Sequence, residues 1–177
     1  LRNARIRQLF QWRIGDQPWQ GREEILRIDN RIRQRLNIPA RTGEIAQPWW
    51  DRGSAPVLAE VWLRFIFDSQ VNVPRPRLAC EGIERCRLWV DGHQVRTTAE
   101  GWFVDEAIPT VVLPDLSSGA HELLLSIPFT PKTPLEWCHL LGDFGVQLKE
   151  GKATLSAPVR RLTLGDWCSQ GLPFYTG

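Results

Sequence analysis

Tryptophan and carboxylate side chains in predicted loops are the residues of this chain best suited to chemistry. Sugars present apolar C–H faces that stack on indole rings, while neighbouring polar groups hydrogen-bond to the hydroxyls. Three of the nine tryptophans, Trp49, Trp50 and Trp102, lie in predicted loops, and Glu100 and Asp105 flank the last of them. Because loops on a rigid β-framework commonly bind ligands, these five residues form a candidate carbohydrate site. The alternative is that the rings are buried against a helix or a neighbouring domain.

The sequence contains no recognisable catalytic constellation. Its three histidines, His93, His121 and His139, are isolated, and no serine nucleophile elbow, HExxH pair or glycine-rich phosphate loop is present. A glycosidase needs two carboxylates that face each other at roughly 5 to 9.5 Å, and no pattern in the sequence shows that any two of its acidic residues converge. We therefore expect that this chain alone is not an enzyme and uses no cofactor.

The four cysteines argue against a structural metal site. Cys80, Cys86, Cys138 and Cys168 include no two-residue spacing, whereas structural zinc sites usually show closely spaced ligand pairs. Cys80 and Cys86 flank a predicted turn and could form a disulfide in an oxidising compartment. Two buried thiols is the favoured interpretation, because cysteine outside disulfides is commonly a core residue.

The elements that would position these residues are short strands, and the clearest of them belongs to a hairpin. Arg87–Val90 alternates polar and apolar residues, which places Arg87 and Trp89 on one face of a strand. Asp91-Gly92 then supplies the positive φ angles of a tight turn before the returning strand. Trp62 and Trp89 both lie inside strand patterns, so both are predicted to be core residues.

One amphipathic helix is predicted near the start of the chain, at Glu23–Leu36. Its apolar residues recur every three or four positions and form a single stripe, which consists of Ile25, Ile28, Ile32 and Leu36. Acidic residues at its start and arginines at its end complement the helix dipole. We expect the stripe to pack on one end or face of the β-structure.

Positive charge is concentrated at the same end of the chain. The net charge is +2, yet Leu1–Arg41 carries ten arginines and four acidic residues. A basic segment of this kind could bind nucleic acid, but it lacks the aromatic array on which single-strand binders stack bases, so no nucleic-acid partner is expected. A solvated face, or a face that docks on an acidic neighbour, is the preferred interpretation. No membrane partner is expected either, because no apolar run of about 18 residues is present.

The order of segments between Gln47 and Gly177 resembles that of a known family. A strand at Val57–Phe67 leads through the motif LACEGIE to the WVDG turn, a tryptophan-containing loop, a β-rich strand and the phrase DLSSGAHELLLSI. This succession is similar to the galactose-binding-like, sugar-binding jelly roll of family-two glycoside hydrolases and α-L-rhamnosidase-like enzymes. Asp91 stands where that family more often has asparagine, and both residues tolerate a left-handed turn.

What this resemblance implies is a mainly β fold. We expect an antiparallel β-sandwich of about eight strands with jelly-roll connections, and the N-terminal helix outside it. Two later phrases, LLGDFGV and GDWCSQGLPFYTG, are similar to segments near the junctions between accessory β-domains of such enzymes.

The expected organisation is a sandwich with an N-terminal addition. Residues 1–56 would be a strand, helix and loop packed on the sandwich, and residues 57–177 the sandwich itself, excised from a longer enzyme. As the resemblance implies, the chain would be a non-catalytic accessory domain of a glycoside hydrolase that contacts neighbouring domains of the same polypeptide. The alternatives are an autonomous carbohydrate-binding module and, more weakly, a protein-interaction domain that uses the basic N-terminal face. No signal segment is recognisable, so the sequence leaves the compartment open, with secretion and the periplasm both compatible.

Overall fold

The computed structural model describes residues 9–41, 55–149 and 152–172, which fold into two β-sheets and one α-helix. The strands, in chain order, are β1 (Leu9–Ile14), β2 (Gln20–Glu24), β3 (Ala59–Ser69), β4 (Arg77–Ala79), β5 (Arg87–Val90), β6 (His93–Val95), β7 (Trp102–Phe103), β8 (Asp105–Val112), β9 (Gly119–Phe129), β10 (His139–Leu141), β11 (Gly145–Lys149) and β12 (Lys152–Ser156). The helix, α1 (Ile25–Arg35), lies between β2 and β3. The described part of the chain is therefore mainly β, as predicted, but it contains twelve strands where the sequence suggested about eight.

The larger sheet is built around β3, whose side chains alternate between the core and the opposite face because the period of a strand is two. Its inward residues are at most 5% exposed and consist of Val61, Leu63, Phe65 and Phe67. β3 pairs antiparallel with β9 along its whole length and with β1 on its other side. The sheet continues in the order β11-β12-β3-β9-β5-β6, and β2 pairs with β1. Within the described residues only β12 and β3 pair in parallel, where Thr154 lies opposite Asp68 and Leu155 opposite Ser69.

The smaller sheet is antiparallel and has the order β10-β4-β8-β7. Leu78 of β4, Val111 of β8 and Leu140 of β10 belong to the same hydrophobic cluster as the inward residues of β3 and β9. The two sheets therefore enclose one core, as the two layers of a β-sandwich do.

The helix α1 contributes its apolar stripe to this core, and Ile25, Ile28 and Ile32 are fully buried. The helix is shorter than the predicted Glu23–Leu36, because Glu23 and its neighbour continue β2 and pair with β1. Backbone pairing across the sheet therefore outweighs the good helix propensity of glutamate at these two positions.

A buried ion pair fixes α1 to the loop after β9. Arg33 Nε lies 2.8 Å from Asp29 Oδ2, and the two side chains are 4% and 2% exposed. Arg33 also donates to the carbonyl oxygens of Pro131 and Thr133, at 3.0 and 2.9 Å. Arg41 Nε donates to the same oxygen of Asp29 at 3.3 Å. Because a buried charge is costly without partners, this network specifies where the helix lies against the loop.

The predicted hairpin turn between β5 and β6 is confirmed, with φ angles of 49° at Asp91 and 79° at Gly92. The Asp91 carboxylate ties this turn to β9. Its Oδ1 accepts a hydrogen bond from the Glu122 backbone N–H at 2.8 Å, and its Oδ2 lies 2.7 Å from His121 Nδ1. The Nε2 atom of the buried His121 lies 2.8 Å from the carbonyl oxygen of Ser117. His121 is therefore a structural residue that joins the β5–β6 turn to the loop before β9.

Candidate functional site

Trp102 lies on β7, the last strand of the smaller sheet, and is 57% exposed. It is paired with Pro109 of β8. The backbone before it is held by two hydrogen bonds, from Glu100 N to Thr110 O at 2.7 Å and from Thr110 N to Gly101 O at 2.9 Å. The indole ring is thus presented to solvent from a backbone that is itself well anchored.

The predicted carboxylates share this exposed region, which we call the edge segment and define as residues 100–105. Glu100 and Asp105 are both exposed. Asp105 Oδ1 accepts a hydrogen bond from the Ala107 backbone N–H at 2.8 Å, which leaves its second oxygen outside that turn. Three of the five candidate residues therefore lie exposed within one short segment. The other two, Trp49 and Trp50, lie outside the described residues.

The edge segment also contains Val104, which sequence analysis did not single out. Val104 is 76% exposed and has a φ angle of 65°. A left-handed conformation is unfavourable for a β-branched side chain, and such strain clusters at active sites, ligand clamps and switch regions. Local sequence patterns carry no signal for it, since glycine and asparagine are the residues that usually mark such positions.

A second aromatic surface lies on the larger sheet, on the face opposite to the core. We call it the arginine–tryptophan layer and define it as Arg13, Trp19, Trp62, Arg87 and Trp89. The rings of Trp62 and Trp89 stack with centroids 5.5 Å apart. The Arg13 guanidinium lies between two rings, 4.9 Å from the centroid of Trp19 and 5.1 Å from that of Trp62. Cation–π contacts of this kind are favourable on a partly exposed surface.

The prediction that Trp62 and Trp89 are core residues is therefore wrong. Both are only partly buried, because the alternation of β3 and β5 directs their neighbours Leu63 and Leu88 inward. Alternation assigns the two faces of each strand correctly, but the outer face packs against arginine side chains. The strand register aligns these side chains. Arg13 lies opposite Trp62, and both Trp62 and Arg87 lie opposite Ser126 of β9, so the residues form one row across the sheet.

The layer is fixed by a charged cluster beside it. Arg87 Nη2 donates to Glu60 Oε1 at 2.8 Å and to Ser126 Oγ at 3.0 Å, and Ser126 Oγ also donates to Glu60. Burial acts to raise the pKa of Glu60, but the hydrogen bonds from Ser126 and Arg87 outweigh it and lower that pKa. Glu60 therefore remains ionised beside Arg87.

The two aromatic surfaces differ in what they can bind. In the layer, the ring of Trp62 already contacts Trp89 and Arg13, so its faces are engaged within the protein. Trp102 is more than half exposed, and the exposed Glu100 and Asp105 lie two and three residues from it in the chain. The edge segment is therefore the better candidate for an external partner, and the layer the better candidate for a structural role.

Among the described residues, no group of three or more histidine, cysteine or acidic side chains is placed so that it could hold a metal ion. Nor does any helix within residues 9–41, 55–149 and 152–172 have the length and apolar character needed to cross a membrane. No family model, curated protein or solved structure matches the chain.

Proposed function

We propose that this chain is a non-catalytic accessory β-sandwich domain of a multidomain glycoside hydrolase, with the jelly-roll connections of galactose-binding-like domains. Its role is to brace neighbouring domains of the same polypeptide. The observation that carries this proposal is the exposed apolar pair on the edge segment, Trp102 at 57% and Val104 at 76% exposure. Covering such side chains with a neighbour is favourable by roughly 25 cal/mol for each Å² of apolar surface removed from water.

The conformation of Val104 also supports a contact with another domain. A left-handed backbone costs about 1–2 kcal/mol at a residue with a Cβ atom, and Val104 adopts it while exposed. Burial of the valine side chain against a neighbour offsets this cost. A sugar hydroxyl would gain little from the same side chain, since valine offers no hydrogen bond.

A specific observation favours carbohydrate binding as the second candidate. Glu100 and Asp105 are exposed on either side of Trp102, so an indole face and two carboxylates are available within one short segment. In this role a sugar ring stacks on Trp102, while the carboxylates accept hydrogen bonds from its hydroxyl groups. The third function, protein interaction through the basic N-terminal face, is weaker because Arg31, Arg33 and Arg41 already pair with acidic side chains.

Two neighbouring substitutions, Trp102→Ala and Val104→Asn, distinguish the first two roles. Asparagine tolerates a positive φ angle, so V104N removes the apolar side chain without disturbing the backbone. If the edge segment braces a neighbour, both variants lower the melting temperature of the full polypeptide by more than that of the isolated chain. If it binds sugar, W102A alone loses binding to a panel of mono- and oligosaccharides in titration calorimetry. Equal effects of both variants on the full polypeptide and the isolated chain would contradict the bracing role.

A further inference from the structure

Two cysteines that are far apart in sequence meet in the smaller sheet. The Cys138 thiol donates to Cys80 Sγ with a sulfur–sulfur distance of 3.1 Å, across a separation of 58 residues. Both side chains are buried, at 7% exposure for Cys80 and 2% for Cys138. The cysteine considered from sequence as the partner of Cys80, Cys86, instead donates to the carbonyl oxygen of Gly82 at 3.5 Å.

The sheet register explains why these two residues meet. Ala79 of β4 pairs with His139 of β10 in an antiparallel ladder, so the next pair along the same register is Cys80 and Cys138. The Cys80 backbone N–H donates to Pro109 O, on the β8 side of β4. A residue in an antiparallel sheet directs its N–H and C=O to the same neighbouring strand. Cys80 therefore faces Cys138 as a non-hydrogen-bonded pair.

The geometry of such a pair suits a covalent bond. Opposite residues at non-hydrogen-bonded positions have Cα atoms about 4.5 Å apart, and disulfides span Cα distances of about 4.4 to 6.8 Å. Because the two sulfurs of Cys80 and Cys138 already face each other, closing the bond needs side-chain adjustment and little movement of the strands.

We propose that Cys80 and Cys138 form a disulfide that links the end of β4 to the start of β10. A small-molecule disulfide such as oxidised glutathione is the two-electron acceptor. One cysteine thiolate attacks the glutathione disulfide, forms a mixed disulfide and releases the first glutathione thiolate. The second cysteine thiolate then attacks the protein sulfur of that mixed disulfide and releases the second. The two protons lost by the cysteines are taken up by the two glutathione thiolates, so that electrons and protons balance.

Burial determines when this reaction takes place. The hydrogen bond with Cys138, together with burial, holds the pKa of the Cys80 thiol well above its ordinary value, and burial raises the pKa of Cys86 to about 12. Since the thiolate is the reacting species, the folded and reduced domain exchanges slowly. The bond therefore closes during folding, before β4 and β10 exclude the oxidant.

Peptide mapping after refolding tests the proposal directly. The chain, with the exposed Cys168 changed to serine to prevent intermolecular exchange, is refolded in reduced and oxidised glutathione, quenched with acid, and alkylated after unfolding. We expect one linked peptide pair that joins Cys80 to Cys138, with Cys86 alkylated. A link from Cys86 to either residue, or alkylation of all three cysteines, would overturn the proposal.

A stability measurement on matched variants provides the second test. Oxidation should raise the urea midpoint of the refolded chain by about 1–2 M over the same protein in excess dithiothreitol. The difference should vanish in C80A and C138A. It should persist in C86A, the matched control, because Cys86 is also buried. A difference that persists in C138A would count against the assignment. If C138A does not fold, the peptide map of the chain with both cysteines still decides the question.

Discussion

The indole rings of Trp62 and Trp89 stack on the outer face of the larger sheet, with centroids 5.5 Å apart and planes inclined by 30°. Their strands, β3 and β5, are not neighbours, since β9 lies between them. The guanidinium carbon of Arg87 lies 5.7 Å from one ring and 5.8 Å from the other. The pair thus joins β3 to β5 across β9 on the outer face of the larger sheet.

We expect Trp89→Ala to lower the free energy of unfolding by about 1–2 kcal/mol, well below the range of about 3–5 kcal/mol for a large core aromatic. The reason is that the ring is only partly buried and that stacking supplies much of its contribution. A double-mutant cycle with Trp62→Ala should give a coupling energy of about 0.5–1.5 kcal/mol. Urea unfolding measures all four proteins. Trp102→Ala, an exposed tryptophan on the other sheet, is the control and should change the isolated chain by about 0.5 kcal/mol or less. Independent effects of W62A and W89A would show that the rings do not stack in solution.

Arg33→Ala should be the most destabilising arginine substitution in α1, because the Arg33 side chain is buried. It removes the shorter of the two arginine contacts of the buried Asp29 carboxylate and two hydrogen bonds to the loop after β9, and leaves only the longer contact with Arg41 at 3.3 Å. Breaking one side of a buried pair costs about 3–5 kcal/mol. Arg31→Ala, which breaks the more exposed pair with Glu23 at 2.6 Å, is the matched control and should cost about 1 kcal/mol or less. Similar midpoints for R33A and R31A in urea would refute the structural role of Arg33.

The turn between β5 and β6 gives a test of backbone conformation. Gly92 has a φ angle of 79°, and the space around its Cα is open. Alanine should therefore cost about 1 kcal/mol through backbone strain alone, and Gly92→Asn should cost less because asparagine tolerates this region. If G92A and G92N unfold at the same urea concentration, the strain explanation is wrong.

Glu60 should make the stability depend on acidity. Its pKa is lowered in the folded protein, where hydrogen bonds from Ser126 and Arg87 outweigh the effect of burial. A carboxylate of this kind contributes stability above its unfolded pKa of about 4.3, and the contribution is lost as the pH falls through the lower folded pKa. The free energy of unfolding should therefore fall more steeply below about pH 4.3 in the wild type than in Glu60→Gln. Parallel pH profiles for the two proteins would exclude this contribution.

Local patterns in the sequence predict much of the β-structure. The dipeptide Asp91-Gly92 marks a two-residue turn because both positions need positive φ angles, and alternation assigns Arg87 and Trp89 to one face of β5. The same alternation cannot tell whether that face is covered, and the prediction of Trp89 as a core residue is wrong for this reason. The predicted start of α1 is wrong for a related reason: Glu23 is held in β2 by pairing with β1, which no local pattern reveals.

Strand register over long sequence separations determines the side-chain contacts that local sequence patterns cannot predict. Cys80 and Cys138 meet because β4 and β10 pair in one particular alignment, and a shift of one residue would separate them. His121 reaches Asp91 in the same way, through the pairing of β5 with β9. Of the candidate site, local sequence placed Trp102 beside Glu100 and Asp105, and a role for these three residues in binding stays a prediction.

The proposed accessory role is tested most directly by comparing glycoside hydrolysis by the isolated chain with that by the full polypeptide. Both are incubated with a panel of aryl glycosides, and release of the aryl group is followed. We predict turnover by the full polypeptide and none by the isolated chain, because the sequence contains no recognisable catalytic constellation. Turnover by the isolated chain that survives repurification and is lost on changing one Asp or Glu, or a full polypeptide without glycosidase activity, would contradict this account.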